Sequence, residues 1–241
     1  MLNIHSIETF GTHEGPGIRL VIFIQGCPWH CLYCHNPDTQ SIRGGKEISK
    51  LKLLRMAVDQ KPYFKNNGGV TVTGGEPLVQ AEALVDFFKA LKVDGIHTAI
   101  DTNGCLFTQS VKELLEYTDL VILDIKQINN EEHQKLTGGS NEETLRLAKY
   151  LREINKPLWI RHVLVPGTTD SPEHLNELGR YFKDFKNIER LELLPYHTLG
   201  KHKYEHLERK YHLEHLEPPT NEEVEMAKGI LEKYFKKVVV G

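Results

Sequence analysis

Cys27, Cys31 and Cys34 are three thiols within eight residues, and the fourth cysteine of the chain, Cys105, lies far from them in sequence. Thiolates spaced this closely on one short segment converge on a metal more readily than they brace a fold as disulfides. Iron–sulfur clusters are held by cysteine thiolates at compact spacings. Zinc competes, because Cys31-x-x-Cys34 with His30 or His35 would complete a tetrahedron of sulfur and nitrogen. A structural zinc loop usually brings a second Cys or His pair at regular spacing, and none is evident. A redox dithiol would use Cys31 and Cys34 and leave Cys27 idle. If the centre is a four-iron cluster, three ligands leave one iron open, and an open iron is a place for chemistry. Cys105, next to Gly104, reads as a small half-buried apolar residue rather than a fourth ligand.

Several elements must position those thiols. The apolar run Leu20-Val21-Ile22-Phe23-Ile24, closed by Gln25-Gly26, is a strand that delivers them onto a loop. Ahead of it, Ile4 to Phe10 alternates loosely, as an edge strand does, and leads into Gly11-Thr12-His13-Glu14-Gly15-Pro16-Gly17-Ile18-Arg19. Three glycines and a proline make this a shaped loop, either a turn joining two strands or a surface that another backbone approaches closely. After the cysteines, Ser49 caps a helix reaching Gln60, with Leu51, Leu54, Ala57 and Val58 at helical spacing and Pro62 beyond its end.

A strand-then-helix rhythm follows. Val70 to Thr73 ends in Gly74-Gly75-Glu76-Pro77 and is followed by a helix from Gln80 to Lys92, with Leu84, Phe87, Phe88 and Leu91 inward. His97 to Ile100 ends in Asp101-Thr102-Asn103-Gly104, with Ser110 to Glu116 as its helix. Leu120 to Leu123 ends in Asp124-Ile125-Lys126, with a helix from Glu142 to Ile154. Leu158 to Val165 pairs with the helix Pro172 to Phe182, and Ile188 to Leu194, ending in Pro195-Tyr196-His197, with Asn221 to Phe235. Strands alternating with helices pair in parallel through right-handed crossovers. Counted from Leu20 there are six such units, too few for an eightfold barrel, so the expected fold is α/β, a partial (β/α)6 barrel. Function in such folds sits where strands end and helices begin. Every polar cluster named above falls at that edge.

The 241 residues are 39% hydrophobic and 26% charged, with a formal charge of −3. No broad basic surface advertises nucleic acid or anionic lipid. The start of the chain lacks a secretory signal and no apolar run approaches a membrane span, so a cytoplasmic protein without membrane attachment is expected. No repeat or linker interrupts the chain, which reads as one domain over residues 1–241. The segment from His197 to Pro219 breaks the rhythm. Its His202, His206, His212 and His215 read as a solvated, partly helical surface, with no convincing pair at i and i+4.

The cysteine triplet, Gly74-Gly75-Glu76-Pro77 and the six-unit pattern together resemble the radical S-adenosylmethionine family. Within it, the chain resembles the glycyl-radical enzyme activases that act on formate acetyltransferase. The resemblance runs from end to end, through the loop Gly11 to Arg19, Gln25-Gly26-Cys27, Tyr33-Cys34-His35-Asn36, Asp101-Thr102-Asn103-Gly104, Leu123-Asp124-Ile125-Lys126, Trp159-Ile160-Arg161 and Leu194-Pro195-Tyr196-His197. Departures are minor, at positions such as His13 and Pro28.

This resemblance implies a single radical SAM domain with a [4Fe-4S] cluster on Cys27, Cys31 and Cys34 and S-adenosylmethionine on the open iron. Gly74 and Gly75 would expose backbone to that cofactor, and Glu76 with neighbouring carbonyls would accept from its ammonium. Lys126 would pair with its carboxylate, Asp124 and Ile125 would be among the other cofactor-binding residues, Tyr33, Cys34 and His35 would lie along the adenosine, and His197 would reach the ribose. Asp101, Thr102 and Asp124 resemble a set of hard oxygens for Na+ or K+. The implied reaction is reductive cleavage to a 5′-deoxyadenosyl radical, which takes a hydrogen from a glycine of the target protein. Gly15, Pro16, Gly17, Arg19 and Arg161 are the expected substrate contacts, and a flavodoxin or ferredoxin is the implied electron donor. Four cysteines in all leave no room for a ferredoxin-like insert.

Overall fold

Short apolar stretches such as residues 20–24 and 120–123 form the central strands. The computed structural model, which describes residues 1–241, divides the chain into two compact units. The first comprises Met1–Pro28 and Thr39–Ile122, the second Trp29–Asp38 and Leu123–Gly241.

The first unit contains β1 (Leu2–Gly11), β2 (Arg19–Ile24), β3 (Lys46–Ile48), α1 (Lys50–Phe64), β4 (Gly69–Gly74), α2 (Ala81–Val93), β5 (His97–Thr102), α3 (Gln109–Glu116) and the opening residues of β6 (Leu120–Asp124). Its hydrogen-bonded strand order is β3-β1-β2-β4-β5-β6. β2 pairs in parallel with β4 from Arg19 opposite Gly69 to Ile24 opposite Gly74, and β4 pairs in parallel with β5. Both β2 and β4 are buried almost throughout, as parallel strands covered on both faces must be. α2 turns Leu84, Phe87, Phe88 and Leu91 inward as its spacing predicts.

Two expectations in this unit need correction. β1 is not the edge strand, because β3 pairs antiparallel outside it, Leu2 opposite Ile48 to Ile4 opposite Lys46. α1 does not stop before Pro62 but runs through it to Phe64. The ring costs one hydrogen bond, to the carbonyl of Val58, and Val58 lies on the exposed side of the helix. The buried stripe of α1 is Leu53, Ala57 and Phe64, so Leu51 and Val58 face water.

The second unit contains the end of β6, then α4 (Asn130–Thr137), α5 (Glu142–Glu153), β7 (Leu158–Leu164), α6 (Pro172–Phe182), β8 (Ile188–Pro195), α7 (Lys201–His206), α8 (Asn221–Leu231) and β9 (Val238–Val240). Its strand order is β6-β7-β8-β9, with β7, β8 and β9 parallel. α8 ends four residues short of the expected Phe235, and β9 follows it. α4 is a helix with almost no apolar periodicity. It is fixed instead by its ends: Asn129 accepts from the Glu132 amide at 3.1 Å, and Gly138 closes it at φ 80°.

The six expected strands are all present, as β2, β4, β5, β6, β7 and β8. No helix is long and apolar enough to cross a membrane. In the His-rich segment, α7 places His202 and His206 at i and i+4 after all, with ring centres 6.1 Å apart. The four histidines are exposed, but the segment is not merely surface. Its Tyr204, Tyr211 and Leu213 are buried in a cluster with Tyr33, Leu136, Val165 and Tyr196.

Candidate functional site

In the first unit, Cys27 leaves the end of β2 through Gly26, whose φ of 101° suits only glycine well. Backbone bonds fix the segment: Gly26 donates to Thr39 at 2.7 Å, Cys27 to Gln40 at 3.0 Å, and Gly26 accepts from the Glu76 amide at 2.8 Å. A side chain on Gly75 would collide with that same Gly26 carbonyl, and one on Gly74 would meet the Ile24 amide. Close packing of the β4 and β2 ends therefore demands both glycines. Glu76, expected to accept from a cofactor ammonium, is wholly buried. Its Oε1 accepts from the Leu78 amide at 2.9 Å and the Thr102 hydroxyl at 2.5 Å, and its Oε2 from the Asn103 amide at 2.8 Å. Protein donors hold its carboxylate, so Glu76 braces the β4 and β5 ends. Asp101 accepts from Thr73 at 3.0 Å, and Asn103 Nδ2 lies 3.7 Å from Cys27 Sγ.

Arg19 also overturns its expected role. It is 0% exposed, and the loop before it is folded around its guanidinium. Nε donates to the Thr71 hydroxyl, Nη1 to the Pro16 carbonyl at 3.0 Å, and Nη2 to the Val70 carbonyl at 2.7 Å. Gly15, at φ 128°, lies directly over it, and Gly17, at φ 69°, packs on Asn67 and Gly68. Burial pulls the pKa of Arg19 down to about 10, against the opposing pull of Asp119 and Glu14. A charge so enclosed shapes the loop and does not contact a substrate.

In the second unit, the Trp29 to Cys34 segment is pinned by the end of α4. Helix-terminal carbonyls lack intrahelical partners. Those of Thr137 and Leu136 accept from the His30 and Leu32 amides at 2.8 and 2.9 Å. Trp29 packs edge-on against His133 with centres 4.7 Å apart, and a side chain on Gly139 would strike its indole. Beyond the cysteines, Lys203 Nζ reaches Asn36 at 2.8 Å and Arg209 reaches the Pro37 carbonyl at 3.3 Å. The segment from α7 to Leu213 thus clamps the loop.

Tyr33 is 5% exposed, and its hydroxyl is buried with no hydrogen-bond partner. Burial drives its pKa above the ordinary phenol value, against the pull of Lys126, which lies 5.7 Å from the ring centre. Lys126 is bonded to Asp124 at 2.7 Å. Burial works against its charge, but Asp124 overrides that and raises its pKa well above the usual value. Ile125 between them is held from β7, donating to Arg161 at 2.9 Å and accepting from His162 at 2.7 Å. His35 and His197 stack with centres 4.1 Å apart, and His35 Nε2 meets the His197 carbonyl at 3.2 Å. Burial first, and His197 second, lower the pKa of His35. Gly200 permits this approach, since a side chain there would meet the His35 backbone. Arg161 is mostly buried on Glu192.

None of the four cysteines forms a disulfide, and each is half-buried. Residue spacing did not identify Asn103, Glu192 or His133. Of these, only Asn103 left a legible trace, in the Asn-Gly pair that follows β5 and turns the chain.

The Radical SAM superfamily model matches residues 21–178, so the class that this fold and this site define is the radical SAM enzyme. A pyruvate formate-lyase 1-activating enzyme of Escherichia coli strain K12 is 48% identical over 239 residues, covering 98% of this chain and 97% of that protein. A pyruvate formate-lyase-activating enzyme of Staphylococcus epidermidis is 47% identical over 233 residues, 93% of each. The crystal structure of a domain of pyruvate-formate lyase-activating enzyme from Bacteroides vulgatus superposes with a TM-score of 0.61 at 27% identity, over 72% of this chain and 99% of that one. The chain belongs to the pyruvate formate-lyase activating enzymes. With that membership come the partial (β/α)6 barrel, the [4Fe-4S] cluster and S-adenosylmethionine.

Proposed function

We propose that Cys27, Cys31 and Cys34 hold the cluster, leave its fourth iron to S-adenosylmethionine, and so equip this chain to set a glycyl radical in formate acetyltransferase. The donor set carries the reading: three half-buried thiols within eight residues, none in a disulfide, with the partnerless Tyr33 hydroxyl between two of them in the chain. Soft thiolates suit iron–sulfur centres, and a buried hydroxyl without a partner suits a polar ligand. When bound, the cluster and S-adenosylmethionine supply the one-electron cleavage and the hydrogen abstraction that leave the glycyl radical.

The chain binds and orients. Lys126, kept charged by Asp124, takes the cofactor carboxylate, and Ile125 lies beside it. The backbone at Gly74 and Gly75 takes the ammonium, Tyr33 and His35 flank the adenosine, and His197 reaches the ribose. Asp101, Thr102 and Asp124 offer hard oxygens to Na+ or K+. Gly15 to Gly17 and Arg161 receive the target glycine segment. The electron comes from a flavodoxin or ferredoxin. A cavity of about 360 Å³ beside Cys31, lined by His30, Arg209, Lys210 and His212 and by no carboxylate, supports an acidic carrier. The chain works as one domain in the cytoplasm, and its net charge of −3 supports a reading without nucleic acid or anionic membrane as partner.

Anaerobic reconstitution with iron and sulfide analysis tests the ligand set. Wild-type protein takes about four irons per chain and Cys31→Ala loses them. A single zinc in place of iron would overturn it.

A further inference from the structure

We infer that Asn103 tunes the reduction potential of the cluster by donating a hydrogen bond to Cys27, an inference that rests on Cys27 being a ligand as proposed above. Asn103 Nδ2 lies 3.7 Å from Cys27 Sγ. The other end of the amide fixes its orientation, because Oδ1 accepts from the Cys105 backbone amide at 2.9 Å, and only an oxygen can do so. The NH2 group therefore faces the sulfur. The backbone of Asn103 is held in turn by Glu76 Oε2, while Glu76 Oε1 takes the Thr102 hydroxyl and Thr102 Oγ1 accepts from the Gly104 amide at 2.9 Å. Glu76 is 0% exposed and Asn103 6%. All of these groups belong to the first unit. Such satisfied buried networks hold a group in a single geometry.

Hydrogen bonds to ligand sulfurs are among the levers that set cluster potentials. A reduced cluster carries one more negative charge than an oxidised one, so a donor at its thiolate favours the reduced form and raises the potential. This enzyme must reduce its cluster before anything else can happen. Asn103 eases that step while leaving the open iron untouched, because it acts on a sulfur already committed to the protein.

Asn103→Asp keeps the shape and the acceptor for Cys105 but turns an anionic oxygen toward the sulfur, and Asn103→Ala simply removes the donor. In an anaerobic redox titration followed by EPR, both reconstituted variants should reach half-reduction at a lower potential than wild type, the Asp variant lower than the Ala. At the wild-type midpoint, the ratio of reduced to oxidised cluster in Asn103→Asp should fall about tenfold, which is 59 mV for a one-electron couple. Unchanged midpoints at full iron content overturn the proposal. If neither variant assembles a cluster, pulsed EPR of reduced wild-type enzyme carrying asparagine with a 15N side-chain amide decides. A 15N coupling to the cluster supports the bond, and its absence overturns it. Cys27→Ser tests ligation separately. Loss of the cluster upholds Cys27 as a ligand, whereas an unaltered cluster removes the ligation on which the proposal rests.

Discussion

Arg161 and Glu192 face each other on β7 and β8, and the guanidinium gives both Nε, at 3.0 Å, and Nη2, at 2.7 Å, to one carboxylate oxygen. The other oxygen takes Arg190 at 2.5 Å, and Arg190 lies over the Trp159 ring at 3.3 Å. One nearly buried carboxylate thus holds two cations. Glu192→Ala strands both and should lower unfolding free energy by about 3 kcal/mol, read from denaturant titration. Arg161→Ala should leave iron content unchanged while activation of the target falls about tenfold, the equivalent of about 1.4 kcal/mol in binding. Parallel loss of iron would make Arg161 structural.

Arg19 supplies the opposite test. Arg19→Lys keeps a charge but loses the fork that serves Thr71, Pro16 and Val70. Stability should drop by about 2 kcal/mol, since buried acceptors go unmet. The KM for the target should stay at the wild-type value. A raised KM at unchanged stability would return Arg19 to the substrate-facing surface.

The cysteine loop is held by packing as well as by backbone bonds. Gly139→Ala drives a methyl into the Trp29 indole and should loosen the loop between Cys27 and Cys31. The expected readout is loss of iron during gel filtration of protein that still melts cooperatively. Full iron retention would show that Trp29 does not govern the loop.

His162 links the site to pH. Burial lowers its pKa below the ordinary 6.5, although the Ile125 and Thr169 carbonyls and the Asp124 charge oppose the shift, while Lys126 adds to it. The unfolded chain therefore takes up a proton near pH 6.5 that the folded chain refuses. Stability is fully present above that pH and is lost progressively as the pH falls from it through the lower folded-state value. His133, lowered chiefly by burial, adds in the same sense. The melting temperature should fall between pH 7.5 and pH 5.5, and His162→Asn should flatten that slope. An equal slope in the variant would assign the effect elsewhere.

Much of this was legible in residue order. Period-two and period-3.6 patterns located all six barrel strands, because β2 is an apolar run closed by Gln25-Gly26, β4 a Val-Thr alternation ending in glycine, and α2 and α6 carry clean buried stripes. α4 was not legible, since its sequence holds one strong apolar residue, Leu136, and its stability comes from caps and from the loop it anchors. Three-residue strands such as β3 and β9 leave no periodicity at all. Arg19 misled because an arginine in a glycine-rich loop normally faces water, and only tertiary contacts reveal the carbonyls that enclose it. Asn103 lies inside the Asp101-Thr102-Asn103-Gly104 motif, yet its bond to Cys27 joins residues 76 positions apart.

On the proposed reading, three cysteines with a cofactor at the fourth iron make this chain an activase. The most direct test of that reading is EPR of formate acetyltransferase incubated anaerobically with the reconstituted enzyme, S-adenosylmethionine and a strong reductant. A glycyl radical signal, with one 5′-deoxyadenosine released per radical, is the predicted result. An iron-loaded enzyme that releases no 5′-deoxyadenosine and leaves the target without a radical would contradict it.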